Sequence, residues 1–201
     1  MPAPTPLPFP ETLRLRALSL ELEVARSPVP HLTDPAVRVL DHRPAALRLT
    51  VQHRADPLPP SQAFREALVG FLRREGARAL PPLLARLADE AGIARPSHVR
   101  VGLTRSRWAS RSSTGTIACS VLLLFLPEAL LRHVLLHELC HVAHMDHGPG
   151  FHALLARLDP LSAAHAKALR HADRDYLPRW LSHDAPDFDF SPNIQYTDRQ
   201  T

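Results

Sequence analysis

The chain has few residues of several types, and these shortages exclude some classes of protein. Only 2 of its 201 residues are cysteine, which argues against a disulfide framework. No apolar run approaches the ~20 residues that a membrane span requires. Prolines at alternate positions from Pro2 to Pro10 would break the apolar helix of a secretory signal. We therefore expect a soluble, cytoplasmic protein with no membrane partner.

Lysine is also scarce, since Lys167 is the only one and arginine supplies the other cationic residues. The formal net charge is +4, but the arginines are spread along the chain without a dense block. This distribution is typical of a solvated arginine-rich surface, with nucleic-acid binding as a less favoured alternative. A glycine-rich phosphate loop is absent as well. The hydrophobic share of 45% fits an ordinary globular enzyme.

The most informative segment runs from His137 to His141 and reads His-Glu-Leu-Cys-His, a pattern typical of zinc hydrolases. Two histidines four residues apart lie on one face of a helix and can bind one metal ion. Glu138 would then face the open coordination position, where it can act as a general base. Pro127 and Glu128 suit the start of such a helix. Apolar residues recur at three- and four-residue steps before the motif: Leu130, Leu131, Val134 and Leu135.

A third metal ligand should follow, and His144, His147 and His152 are the candidates. His144 lies about 10 Å along the helix axis from His137, which is too far for a shared ion. The chain must turn back first, and the Gly-Pro-Gly segment at 148–150 allows such a turn. We therefore predict zinc bound by His137, His141 and His147, with His152 as the alternative third ligand.

Other polar side chains near the motif receive simpler interpretations. His133 and His144 are interpreted as partly exposed helix histidines, and Cys140 as a small core residue rather than a ligand. Phe151 should be a core anchor for the turn that carries His147, and Trp108 a packing residue. Four downstream residues could reach the site, although residues of these types more often lie on the surface or pack in the core: His165, Arg170, His171 and Tyr176.

Two segments of this chain together resemble the YgjP-like metallopeptidases. Members of that family carry His-Glu-Leu-x-His followed by Asn-His-Ser-Pro-x-Phe-Trp, and residues 146–152 here read Asp-His-Gly-Pro-Gly-Phe-His. Residues 105–117 are similar to the family's Ser-Arg-Trp-Gly-Ser-Cys-Ser-Ser-x-Gly-x-Ile hairpin, with Ala109 and Arg111 in place of Gly and Cys. The resemblance covers roughly residues 80–181. It extends to SprT-like and WLM proteases, whose His-Gly-Pro-x-Phe histidine is the third ligand, and so implies that role for His147.

The predicted fold class is α+β, with a zincin-like domain in which a small antiparallel sheet packs on the active-site helix. Residues 1–60 hold 12 of the 21 prolines and should form a β-rich N-terminal lobe, with strands at 18–24, 37–40 and 47–51. Residues 61–182 should form the metallopeptidase domain, and residues 183–201 a mobile tail. Within the domain we expect two helices that are separated at Pro81 and Pro82, then strands at 98–103, 107–110 and 116–124. The metal helix and helices at 150–158 and 162–177 follow.

These features favour a zinc-dependent metallopeptidase that hydrolyses peptide bonds with a metal-activated water. The alternative is a metal-dependent hydrolase of a nucleotide phosphoanhydride or another small substrate that uses the same site. A metal-binding module without activity is disfavoured, because a structural site has no use for Glu138. The substrate is thus a polypeptide or a small molecule. Residues 116–120 are either an edge strand that pairs with an extended substrate or an ordinary core strand. The pattern does not indicate the oligomeric state.

Overall fold

A computed structural model of the chain describes residues 12–28, 37–41, 48–53 and 62–181. Its first elements are strands β1 (Thr12–Leu15), β2 (Leu20–Pro28), β3 (Val37–Asp41) and β4 (Arg48–His53), which precede helix α1 (Gln62–Ala91). Strands β5 (His98–Gly102), β6 (Ala109–Arg111) and β7 (Thr116–Ser120) follow. Helices α2 (Glu128–Ala143), α3 (Pro149–Leu158), α4 (Ser162–Leu169) and α5 (Ala172–Tyr176) complete the described fold. The α+β class predicted from the sequence is confirmed.

The sheet beside α2 has the strand order β5-β7-β6 and is mixed rather than antiparallel. Strands β6 and β7 form an antiparallel hairpin, whereas β5 pairs with β7 in parallel. After β5 the chain crosses to the far edge of β7 through residues 103–108 before it forms β6. The prediction of an antiparallel sheet therefore holds for β6 and β7 but is wrong for β5, because strand patterns do not show which edge the next strand joins.

Helix α1 is continuous across Pro81 and Pro82, so the predicted break into two helices was wrong. An interior proline removes one helical hydrogen bond and costs about 3 kcal/mol. The apolar face of α1 nevertheless keeps its spacing through the prolines, and burial of that face favours the unbroken helix. Gly76 lies on this face and allows close approach to β5, because a Cβ atom there would lie 2.7 Å from Val101 Cγ1. The buried leucines of α1 are Leu68, Leu72, Leu80, Leu84 and Leu87.

Strand β7 ends at Ser120, four residues before the predicted end at 124. Residues Val121–Phe125 form a 3-10 helix in which every side chain is buried. The Ser120 hydroxyl accepts a hydrogen bond from the Leu122 N–H at 3.3 Å and donates one to the Thr104 carbonyl oxygen at 2.7 Å. A fully buried apolar run shows no alternation of apolar and polar residues that would distinguish a strand from a helix. The predicted strand was therefore extended through the whole run, which was wrong.

The predicted helix at 162–177 is two helices, α4 and α5, separated at Arg170 and His171. This interruption turns the chain so that α4 contributes Ala166 and Leu169, and α5 contributes Asp173, to the same cleft.

The N-terminal sheet has the strand order β1-β2-β4-β3, and β2 and β4 pair in parallel. Leu13, Leu15 and Val24 from this sheet belong to the same hydrophobic core as α1 and α2. The predicted domain boundary after residue 60 falls outside the described residues, as does the predicted tail at 183–201, so both stay predictions. Among the described helices, none combines the length and hydropathy that crossing a membrane requires.

Candidate metal centre and cleft

Helix α2 and the segment after it bring His137, His141 and His147 together. One potential ligand atom from each of the three imidazoles lies within 4.8 Å of the other two. His137 and His141 are one helical turn apart on α2, and His147 lies in the segment between α2 and α3. His137 Nε2 and His147 Nε2 are 3.1 Å apart. Two nitrogens bound at about 2.1 Å to one tetrahedral zinc ion lie about 3.4 Å apart, so the cluster fits a zinc ion.

Burial favours the neutral form of two of these rings, and a hydrogen bond determines which nitrogen of His141 keeps a free lone pair. His141 Nδ1 lies 3.0 Å from the backbone oxygen of His144, and donation of Nδ1–H to it leaves Nε2 with its lone pair. Burial, and then the neighbouring His141 and His147, lower the pKa of His137 to about 3. Burial also lowers the pKa of His141. Both rings are therefore neutral near pH 7, which is the form that binds a metal ion.

The turn that carries His147 is fixed by close packing. Helix α2 ends at Ala143, and the N–H of the next residue, His144, caps it by donating to the carbonyl oxygen of Cys140 at 2.9 Å. The His144 ring then packs over Gly150, where a Cβ atom would lie only 2.8 Å from it. Phe151 is 1% exposed, and its ring centroid lies 4.7–4.9 Å from the centroids of all three histidines of the cluster. The predicted role of Phe151 as the anchor of this turn is confirmed.

Glu138 is nearly buried beside the histidine cluster, with 6% of its surface exposed. Its carboxylate accepts a hydrogen bond from the backbone N–H of Arg111 at the end of β6. Burial raises the pKa of Glu138 to about 7, against the opposing effects of the nearby Arg107 and Arg111. A carboxylate with a pKa near neutrality is well suited to accept and return a proton in this pH range.

A cleft of about 730 Å³ opens beside His137 and Glu138. Residues 105–109, which lead into β6, contribute to its lining, and so do six later residues: Ala166, Leu169, Arg170, Asp173, Leu177 and Leu181. Arg105, Arg107 and Arg170 line this cleft. The sequence motifs indicated residues 105–109, and Arg170 was among the downstream candidates, but no sequence signal marked the contribution of Leu169, Asp173 and Leu177.

The other residues that the sequence analysis named near the site lie in different environments. His152 is exposed and lies outside the cluster, with its ring 6.5 Å from that of His147. Arg170 lines the cleft, whereas Tyr176 lies under the Arg16 guanidinium at 5.2 Å, and His171 contacts Arg174 at 3.2 Å. Trp108 packs against the core and also lines the cleft.

Two interpretations of α2 side chains are decided by burial. The interpretation of His133 as a partly exposed histidine was wrong, since His133 is 4% exposed and its Nδ1 lies 2.6 Å from Asp159 Oδ2. A spacing rule places His133 on a helix face but does not reveal a partner that lies 26 residues later. Cys140 is fully buried in the core, and both it and Cys119 are free thiols.

Residues Thr116–Ser120 form the central strand of their sheet, so their interpretation as a substrate-binding edge strand was wrong. Strands β5 and β6 are the two edges of this sheet, and β6 contributes Ala109 to the lining of the cleft. Ser120 N–H donates to the Trp108 carbonyl and Ser112 N–H to the Thr116 carbonyl, so Trp108 and Ser112 turn their polar groups towards β7. In an antiparallel pair this orientation alternates, so Ala109 and Arg111 direct their N–H and C=O groups away from β7.

We predict that Glu138→Gln stabilises the metal-free protein above pH 7. The folded-state pKa of Glu138 is about 7, above its ordinary value of 4.5, so only the folded state holds this proton between these values. Protonated Glu138 therefore contributes stability to the folded state that is fully present below about pH 4.5. This contribution is lost as the pH rises through 7 and the buried carboxyl ionises. The shift corresponds to at most about 3 kcal/mol.

Urea unfolding of both proteins with a chelator, from acid to alkaline pH, measures this difference. The advantage of the Gln variant should be near zero at low pH and reach about 2–3 kcal/mol at pH 8. The histidines titrate alike in both proteins and so cancel in the difference. A stability difference that does not change with pH would contradict the buried, high-pKa environment of Glu138.

Comparison with protein families gives a match over most of the chain. Residues 31–172 match the family model described as the YgjP-like metallopeptidase domain. No curated protein matches the sequence. Among solved structures, the chain is similar to the metallopeptidase zymogen abylysin from Pyrococcus abyssi, with 25% identity and a TM-score of 0.42. That match covers 47% of this chain and 94% of the abylysin chain.

Proposed function

Because this chain belongs to the YgjP-like metallopeptidase family, we propose that it is a zinc-dependent peptidase with His137, His141 and His147 as ligands. The observation that carries this proposal is the convergence of three imidazoles beside a buried carboxylate at the wall of one cleft. Two of the rings are held neutral by burial, as metal ligands must be. Three neutral ligands also match the open type of zinc site that hydrolases use.

Glu138 is the proposed general base. When bound, the zinc ion would supply an acidified water and polarise the scissile carbonyl. Glu138 would accept the proton from that water and return it to the leaving amine. The hydrogen bond from the Arg111 N–H orients the carboxylate, and the raised pKa makes the carboxylate a stronger base for accepting the proton. Glu138 thus supplies the proton transfer, and the three histidines supply only metal binding.

The outer edge of β6 is the proposed binding site for an extended peptide. Ala109 lines the cleft and directs its N–H and C=O groups away from β7. Such groups can pair with a substrate backbone, as in strand addition. The Arg111 N–H on the same edge already donates to Glu138, so this edge also aligns the substrate with the general base.

We predict that Ala109→Pro lowers kcat/KM for peptide hydrolysis about tenfold, the worth of one lost backbone hydrogen bond. Proline removes the outward N–H and leaves the ladder between β6 and β7 intact, because Ala109 does not donate to β7. Zinc content and the circular dichroism spectrum should not change.

Ser113→Pro is the matched control, since Ser113 occupies the second position of the turn closed by the hydrogen bond from Gly115 N–H to Ser112 C=O. Proline is well accepted at this turn position. Equal peptidase activity in the folded Ala109→Pro variant and in the Ser113→Pro control would eliminate the pairing of substrate with β6.

A further inference from the structure

A second group of metal-binding side chains lies beside the cleft and has no part in the proposed peptidase mechanism. His133 Nδ1 lies 2.6 Å from Asp159 Oδ2, and His165 Nδ1 lies 2.9 Å from the same oxygen. One potential ligand atom from each residue lies within 4.8 Å of the others. These residues come from α2, from the end of α3 and from α4, so only the folded chain brings them together.

The surroundings of this group give it an ionised and nearly buried carboxylate. The side chains of His133 and Asp159 are 4% and 10% exposed. Burial acts to raise the pKa of Asp159, but the hydrogen bonds from His165 and His133 outweigh it and hold the pKa below its ordinary value. In the described part of the chain, Asp159 forms ion pairs with these two histidines alone. With neutral imidazoles the group has a net charge of −1, which a bound cation would compensate in this low-dielectric environment.

The carboxylate is also oriented as a ligand would be. Asp159 Oδ1 accepts a hydrogen bond from the Leu161 N–H at 3.2 Å, which turns Oδ2 towards the two rings. The ring centroids of His133 and His165 are 5.6 Å apart with an interplanar angle of 61°, so both Nδ1 atoms can face one point without stacking. The two nitrogen–oxygen distances of 2.6 and 2.9 Å would have to lengthen to roughly 3.4 Å, that is by about 0.8 and 0.5 Å, to match a tetrahedral zinc site. Each ring would then carry its proton on Nε2 and remain neutral.

We propose that His133, Asp159 and His165 form a second metal site, for a divalent transition metal ion such as zinc. Two imidazole nitrogens and one carboxylate oxygen are a ligand set that zinc and its neighbours in the first row accept. The site is distinct from the cluster of His137, His141 and His147, although both use α2. A bound ion would tie α2 to the α3–α4 connection and stabilise the fold on the side of the cleft.

Zinc equivalents retained after gel filtration with a weak chelator test this site independently of the peptidase. The wild-type chain should retain two equivalents, His165→Gln and His147→Ala one each, and the double variant none. The His165→Gln variant should also lose the increase in melting temperature that the second equivalent gives. Its circular dichroism spectrum should match that of the wild type, because His165 is partly exposed.

Two further variants test whether the second equivalent depends on the charge of Asp159 and on the histidines of this cluster. Asp159→Asn keeps the shape and the acceptor oxygen but removes the charge, so it should also lose one equivalent. His98→Gln removes an exposed histidine outside both clusters and should retain two. The second site is overturned if the wild type retains one equivalent that His147→Ala removes and His165→Gln does not. The reverse pattern would support the second site and overturn the proposed catalytic ligands.

Discussion

The Glu138→Gln variant should keep the zinc content of the wild-type protein and lose at least ~100-fold in the rate of peptide hydrolysis. Glutamine has nearly the same shape and can still accept the hydrogen bond that the Arg111 N–H donates to Glu138. It cannot accept the proton of an attacking water, so only the proton transfer is lost. The matched measurements are kcat/KM on one peptide and zinc by elemental analysis, with both proteins loaded under the same conditions.

The stability of the two proteins serves as the control for this experiment. Glu138→Gln should be at least as stable as the wild type near neutral pH, because the buried carboxylate is unfavourable when ionised. A loss of activity therefore does not arise from unfolding. Peptide hydrolysis at the wild-type rate in the Gln variant would rule out Glu138 as the general base.

The second large effect is expected for His147→Ala, which should release one equivalent of zinc per chain and abolish peptide hydrolysis. His147 Nε2 lies 3.1 Å from His137 Nε2, so its removal takes away one of three converging nitrogens. Two ligands on α2 remain, but a catalytic zinc site ordinarily has three protein ligands. Elemental analysis and the peptidase rate measure the two losses together.

His152→Ala is the matched control, because His152 lies next to this turn but outside the cluster. It should retain the full zinc content and most of the activity. If His152→Ala lost zinc and His147→Ala kept it, the assignment of the third ligand would be reversed.

The sequence predicted the parts of the site that depend on local geometry. The four-residue spacing of His137 and His141 placed both rings on one helix face, and the Gly-Pro-Gly segment indicated where the chain turns back. The structure brings His147 rather than His152 to these rings. Their binding of zinc and the role of Glu138 stay predictions.

The features that the sequence did not reveal depend on contacts between distant segments. Strand β6 is an edge strand, and β7 is not, because β5 joins the other side of β7, and no local pattern specifies this choice. His133 is buried against Asp159 and His165, which lie on other elements far along the chain, so its local sequence does not reveal the burial. Pro81 and Pro82 remain inside α1 because the buried face continues on both sides of them, and such tertiary packing outweighs local propensity.

The most direct test of the proposed activity is a side-by-side assay of the zinc-loaded wild-type protein on a peptide library and on a panel of nucleotides. Arginines line the cleft, so phosphate-bearing substrates are a meaningful comparison. Mass spectrometry should detect new peptide amino termini that are absent from the Glu138→Gln reaction, while the nucleotides remain intact. Intact peptides together with Glu138-dependent hydrolysis of a nucleotide phosphoanhydride would contradict the peptidase assignment and favour the alternative hydrolase.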